Sequence, residues 1–155
     1  MQIQLINVAQ KLPAWVETGC AEYQKRIPRE LGLRLTTIPL AKSASRQSAV
    51  QRREREGREI LAKLRPGHNI ALDENGSAWS SVDWAAQLRC WMQDFGQVNL
   101  VVGGPDGLSS ECLQACQQRV SLGRMTMPHA LVELVVLEQL YRAWTITQGH
   151  PYHRE

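Results

Sequence analysis

Apolar and polar positions alternate over residues 3–9, with Ile3 and Leu5 on one face and Ile6 and Val8 on the other, which is the two-residue period of a strand. Val16, Cys20, Tyr23 and Ile27 then recur at helical spacing behind Pro13, a residue suited to a helix start, and Pro28 ends the pattern. Residues 33–40 read as a second strand, the polar stretch "AKSASRQSA" as a connection, and residues 50–64 as a basic helix with Ile60, Leu61 and Leu64 on its apolar side. "HNIALD" reads as a third strand, followed by a turn at Asn75-Gly76. Ser80 or Ser81 caps a helix carrying Trp84, Leu88, Trp91 and Phe95, closed by Gly96. Residues 98–102 are apolar enough for a strand buried on both faces. Ser109 or Ser110 starts a helix reaching about residue 119, "RMTM" reads as a short fifth strand, and residues 129–147 form the longest helix. Strands alternating with helices predict an α/β fold with a mostly parallel sheet of five or six strands and helices on both faces.

A length of 155 residues fits one domain spanning residues 1–155, and 43% apolar with 21% charged residues is an ordinary globular composition. No apolar run approaches the roughly 20 residues needed to span a bilayer, and the opening "MQIQLINVAQK" lacks the basic start of a signal peptide. A cytoplasmic protein is expected, with Cys20, Cys90, Cys112 and Cys116 reduced, because these thiols have no scaffold-like spacing. The net charge is +3, but residues 41–65 hold eight basic residues against three acidic ones, so the rest of the chain is acidic on balance. Such a patch is either a solvated helix face or a footprint for nucleic acid.

The stretch "NLVVGGPDGLS" sets a buried strand directly before a glycine-rich turn. The dinucleotide fingerprint fails because Pro105 interrupts the glycine spacing, and the phosphate loop fails because Leu108 stands where a lysine is required. Pro105 also lacks an amide proton that a phosphate could use. What remains is a sharp turn at the carboxyl end of a strand, where open α/β sheets bind ligands, with Gly103 and Gly104 permitting close approach to the backbone.

"GGPDGLS" together with "SLGRMTMPHALVELVVLEQLYRAWTITQGHPYHRE", "IQLINVAQKLPAWVETGCAEYQKRIP" and "IALDENG" resembles the RlmH family of SPOUT-class methyltransferases over nearly the whole chain. The resemblance implies a C-terminal trefoil knot, an exception to the rule that connections do not thread loops. It also implies a homodimer, S-adenosylmethionine as methyl donor, and methylation of N3 of a pseudouridine in large-subunit (23S) ribosomal RNA on assembled ribosomes. Carried over by position, the donor pocket comprises Leu72, Gly103, Leu122, Gly123, Arg124, Met125, Thr126 and Met127. Backbone groups would read the adenine edge while Leu72, Leu122 and Met127 pack its ring.

Methyl transfer to an imide nitrogen requires a general base and a donor for the charge that spreads onto the ring oxygens. The tail "HPYHRE" offers His153 or Glu155 as base, Arg154 as charge partner and Tyr152 as a stacking or donor group, in a pocket completed across the dimer. Arg142 lies four residues after Glu138, so the two can pair, with Arg142 lining the pocket and Glu138 holding it. His129 reads as a capping or hydrogen-bonded structural histidine. Glu133 stands where the family commonly has arginine, which either removes a phosphate contact or demands an internal partner. Arg52, Arg53, Arg55 and Arg58 are the expected RNA face. Other readings are a different RNA substrate such as tRNA, and a non-catalytic ribosome-binding factor. No metal is expected; a zinc set of Cys112, Cys116, His150 and His153 is disfavoured because its cysteines lie within an ordinary helix.

Overall fold

The computed structural model describes residues 1–41 and 48–153. Arg154, Glu155 and residues 42–47 of the polar connection lie outside the described residues. In chain order the elements are β1 (Gln2–Ala9), α1 (Ala14–Arg26), β2 (Arg34–Pro39), α2 (Ala49–Lys63), β3 (His68–Ala78), α3 (Ser81–Asp94), β4 (Gln97–Val102), α4 (Ser110–Gln114), β5 (Gln118–Ser121) and α5 (His129–Thr147). The five strands form one sheet in the order β2-β1-β4-β3-β5, and every pairing is parallel.

The alternation read in β1 divides the core into two layers. Ile3 and Leu5 pack with Val16 and Cys20 of α1, Trp84, Leu88 and Trp91 of α3, and Val136, Leu137 and Leu140 of α5. Ile6 and Val8 face the other way, toward Ile60 of α2 and Cys112 of α4. Trp84 and Trp91 meet edge-on at 6.2 Å between ring centroids, a favourable geometry for buried aromatic rings. Capping boxes start α2 at Ser48 with Gln51 and α3 at Ser80 with Asp83. Among the described residues no helix is long and apolar enough to cross a membrane.

Two local expectations are corrected. Asn75-Gly76 is not a turn between elements: β3 continues through it to Ala78, and its register against β5 shifts between Leu72 and Ser77, both of which pair with Val120. A Cβ on Gly76 would lie 2.6 Å from the backbone of Arg119 and Val120, so the glycine permits a close strand approach at this irregularity. The fifth strand is Gln118–Ser121 and not "RMTM", and α4 is correspondingly short. Asn69 of β3 captures the chain there: its side chain donates to the Ala115 carbonyl at 2.9 Å, and its backbone exchanges hydrogen bonds with Gln117 at 2.7 and 2.9 Å. Edge pairing with β3 overrides the helical pattern of the isolated segment. Arg124 to Met127 instead belong to the connection from β5 to α5.

Candidate functional site

That connection has to travel far. It leaves the edge strand β5, passes the carboxyl ends of β3 and β4, and reaches β1, where the His129 ring donates to the Val8 carbonyl. A carbonyl can only accept, so Nε2 carries the proton. His129 thus serves the structural role expected of it. Between this crossing and the strand ends lies a cavity of about 710 Å³, formed by residues 72–76 and 78 of β3, the turn after β4, and residues 120–127 at the end of β5 and beyond it. All eight positions expected for the methyl donor line it, and its volume suits a molecule of cofactor size.

The turn after β4 is built from glycine for steric reasons. A Cβ on Gly103 would meet the Gly107 carbonyl carbon at 2.7 Å, and Gly107 itself has φ of 83°, a conformation side chains disfavour. The Gly107 amide donates to the Gly104 carbonyl at 2.9 Å and closes the turn. Leu72, Leu122 and Met127 supply apolar wall, while Asp73 and Glu74 supply carboxylates suited to a cationic donor. The residues present therefore fit S-adenosylmethionine: exposed backbone for an adenine edge, apolar packing, and acids for the ammonium and sulfonium charges. Residues 74–76 were missed in sequence because the strand was ended at Asp73 and Asn75-Gly76 reads as a turn, whereas β3 continues through them to the cavity.

The turn is held from behind by α2. Arg52 Nε donates to Asp106 Oδ2 at 2.8 Å and its terminal nitrogen to Oδ1 at 3.1 Å. This pairing holds the Asp106 carboxyl below its ordinary range and the guanidinium above its own. Arg52 was expected on the RNA face; it is half-buried against the turn instead. Arg53 and Arg58 line a groove of about 290 Å³ with Ser109 and Ser110, and Arg55 is exposed.

The tail residues form a second group. Arg142 and Glu138 pair at 2.6 Å, as their spacing predicts. Tyr152 donates to the same Glu138 oxygen at 3.1 Å, lies 3.3 Å from the Tyr23 hydroxyl, and has the Arg142 guanidinium 5.0 Å over its ring. Burial first, then Tyr23 and Glu138, push the Tyr152 hydroxyl well above its ordinary pKa, so it stays protonated and acts as a donor. Both ring nitrogens of His153 are buried without a hydrogen-bond partner among the described residues. Within one chain this group is separate from the cavity, whose α5 lining stops at Val132. The six-residue step along the helix from Val132 to Glu138 amounts to roughly 9 Å.

Glu133 is 5% exposed and accepts from the Asn7 side chain at 2.7 Å, so of the two outcomes its charge reversal allowed, the internal partner is realised. Among the described residues no group of three or more His, Cys, Asp or Glu could hold a metal ion, and Cys112 Sγ donates to the Gly57 carbonyl at 3.5 Å.

Residues 1–153 match the family model described as predicted SPOUT methyltransferase. A curated relative, the ribosomal RNA large subunit methyltransferase H of Hahella chejuensis, is 46% identical over 156 residues, covering 100% of both chains. Among solved structures, the chain resembles a probable methyltransferase from Bordetella pertussis, with 17% identity, 91% and 93% of the two chains covered, and a TM-score of 0.58. It also resembles a methyltransferase candidate of Legionella pneumophila solved with bound cofactor SAM, at 11% identity, 92% and 66% coverage, and a TM-score of 0.52. At these identities the two structures speak for the shared fold.

Proposed function

The chain belongs to the SPOUT methyltransferase family, and from that premise we propose that it methylates N3 of a pseudouridine in large-subunit ribosomal RNA on the assembled ribosome, as a cytoplasmic homodimer using S-adenosylmethionine. Membership implies the trefoil knot, in keeping with a connection that crosses from β5 to β1 over the strand ends. The observation that carries the proposal is the cavity of about 710 Å³, whose lining includes every position expected to hold the donor. The relative from Hahella chejuensis, similar over its full length, supplies the ribosomal substrate class.

When bound there, S-adenosylmethionine supplies an electrophilic methyl group. The chain's own task is to position the acceptor in line and exclude water, and to take the imide proton. His153 is the group we assign as base, since neither ring nitrogen is committed to another partner among the described residues. Arg142, oriented by Glu138, is the donor for the negative charge that develops on the acceptor ring, and Tyr152, whose hydroxyl proton goes to Glu138, holds that pair in place and offers its ring for stacking. Arg154 joins them as a charge partner in this reading. Because the tail group stands apart from the cavity of its own chain, the complete site requires the partner subunit. Support for pairing comes from α5, where Leu131, Leu134 and Val135 are only partly covered, and from Trp15 of α1, which is 61% exposed. Arg53, Arg55 and Arg58 furnish phosphate contacts, and the ribosome's shape furnishes selectivity.

The test is transfer of labelled methyl to ribosomes lacking the modification, with free large subunits and tRNA in parallel. Label in assembled ribosomes alone is expected; cofactor binding with transfer only to tRNA would overturn the ribosomal assignment.

A further inference from the structure

A deeply buried carboxyl group stands outside the methyl-transfer reading. Glu56 of α2 is 3% exposed, and neither carboxyl oxygen has a hydrogen-bond partner among the described residues. It lies directly behind the glycine-rich turn: a Cβ on Gly104 would come within 3.0 Å of Glu56 Oε2, 3.1 Å of Oε1 and 3.0 Å of Leu40. One helical turn earlier, Arg52 reaches the same turn and grips Asp106 at 2.8 Å. α2 approaches closely here because Gly57 has no side chain; a Cβ on it would meet Ser109 Oγ at 2.4 Å. Two side chains at i and i+4 therefore address two residues of the turn, Arg52 reaching Asp106 through an ion pair and Glu56 reaching Gly104 through packing alone.

We propose that Glu56 is a positioning residue for the methyl-donor turn, setting the position of Gly104 by contact and the hold of Arg52 on Asp106 by charge. The proposal rests on the reading of this turn as the donor site. Among the described residues the charged groups around Glu56 are Arg52 on its own helix and Asp106 in the turn; Leu40 after β2 is apolar, and on the α4 side the Cys112 thiol packs against neighbouring Gly57. A buried carboxylate without a donor takes up a proton in preference to remaining charged. Burial, reinforced by Asp106 and opposed by Arg52, brings its pKa up to about 7. Protonated Glu56 leaves the Arg52–Asp106 pair undisturbed, as in this structure. Ionised Glu56 competes for Arg52, weakens the restraint on Asp106 and lets the turn shift.

The experiment follows the Gly104 and Gly107 amide resonances of the full chain between about pH 5.5 and 8.5, together with S-adenosylmethionine affinity by calorimetry. In the wild type both amides are expected to move with a midpoint near 7, and affinity to fall as pH rises through it. Glu56→Gln, which keeps size and burial, is expected to abolish the amide response and to flatten that part of the affinity profile. Gly104→Ala, which presses on the carboxyl, should weaken binding roughly tenfold, and Glu56→Ala in the same chain should recover part of it. The same amide response in Glu56→Gln as in the wild type, or full additivity of the Gly104→Ala and Glu56→Ala effects, would overturn the positioning role. Amides that follow Glu56 in a protein unable to bind S-adenosylmethionine would uphold positioning of the turn while removing the donor reading.

Discussion

Gly103 is where a single methyl group should do most damage, since its Cβ would lie 2.7 Å from the Gly107 carbonyl carbon, an atom of rigid backbone. Gly103→Ala is expected to lower S-adenosylmethionine affinity by at least about tenfold, measured by calorimetry, because the turn has to move. Asn7 is the corresponding residue for stability. Asn7→Ala leaves the buried Glu133 carboxylate without its donor, and urea denaturation should register a loss of about 1 to 3 kcal/mol. Glu56 makes stability depend on pH in a definite direction. Its folded pKa is raised from 4.5 to about 7, so the folded state binds more protons than the unfolded state between those values. Stability therefore declines as pH rises from about 4.5 to about 7, by roughly 3 kcal/mol, and levels off above. Denaturation across that range should show the decline in the wild type and its absence in Glu56→Gln; parallel profiles would contradict it. The pairing of Glu138 with Arg142 was legible from spacing alone, whereas that of Glu133 with Asn7 was not, because the two are 126 positions apart and only the fold brings them together.

Periodicity located the elements well where each buries its apolar positions in a regular repeat. α3 and α5 follow the predicted pattern because one apolar face packs into one core layer, and β1 and β4 because their apolar residues alternate between the two layers. It failed where one strand dictates the structure of another. β5 is a strand because Ile70, Ala71 and Leu72 of β3 pair with it once Asn69 has captured Ala115 and Gln117 ahead of it, information that its own four residues do not contain. Asn75-Gly76 has the composition of a turn, yet the glycine serves the approach of two backbones. Gly76→Val should consequently destabilise the β3–β5 edge by about 1 to 3 kcal/mol and perturb residues 73–78 of the cavity wall, seen as faster hydrogen exchange there. α2 was legible as a basic amphipathic helix, but helical spacing does not say what covers each face. Arg52 and Glu56 face the turn, and Arg55 and Arg58 face outward.

In the whole molecule the donor cavity and the tail group occupy different places on the same chain, and in the proposed homodimer two-fold pairing would bring one chain's tail to the other's cavity. At S-adenosylmethionine concentrations too low to fill the Gly103→Ala cavity that variant should be nearly inactive alone, as should His153→Ala, which lacks the base. Mixed dimers contain one cavity intact beside one tail intact, and random mixing should restore roughly a quarter of wild-type activity; no recovery would mean that each chain serves itself. Sequence could suggest a partner but not this division, since the separation of the two groups depends on how far α5 carries the tail from the β1 end. Nucleoside mass spectrometry of large-subunit RNA after reaction with assembled ribosomes identifies the atom that receives the methyl group. A single added methyl on N3 of a pseudouridine, absent with His153→Ala, is the expected result; a methyl on another nucleoside, or the same product from the His153→Ala protein, would overturn the proposed reaction.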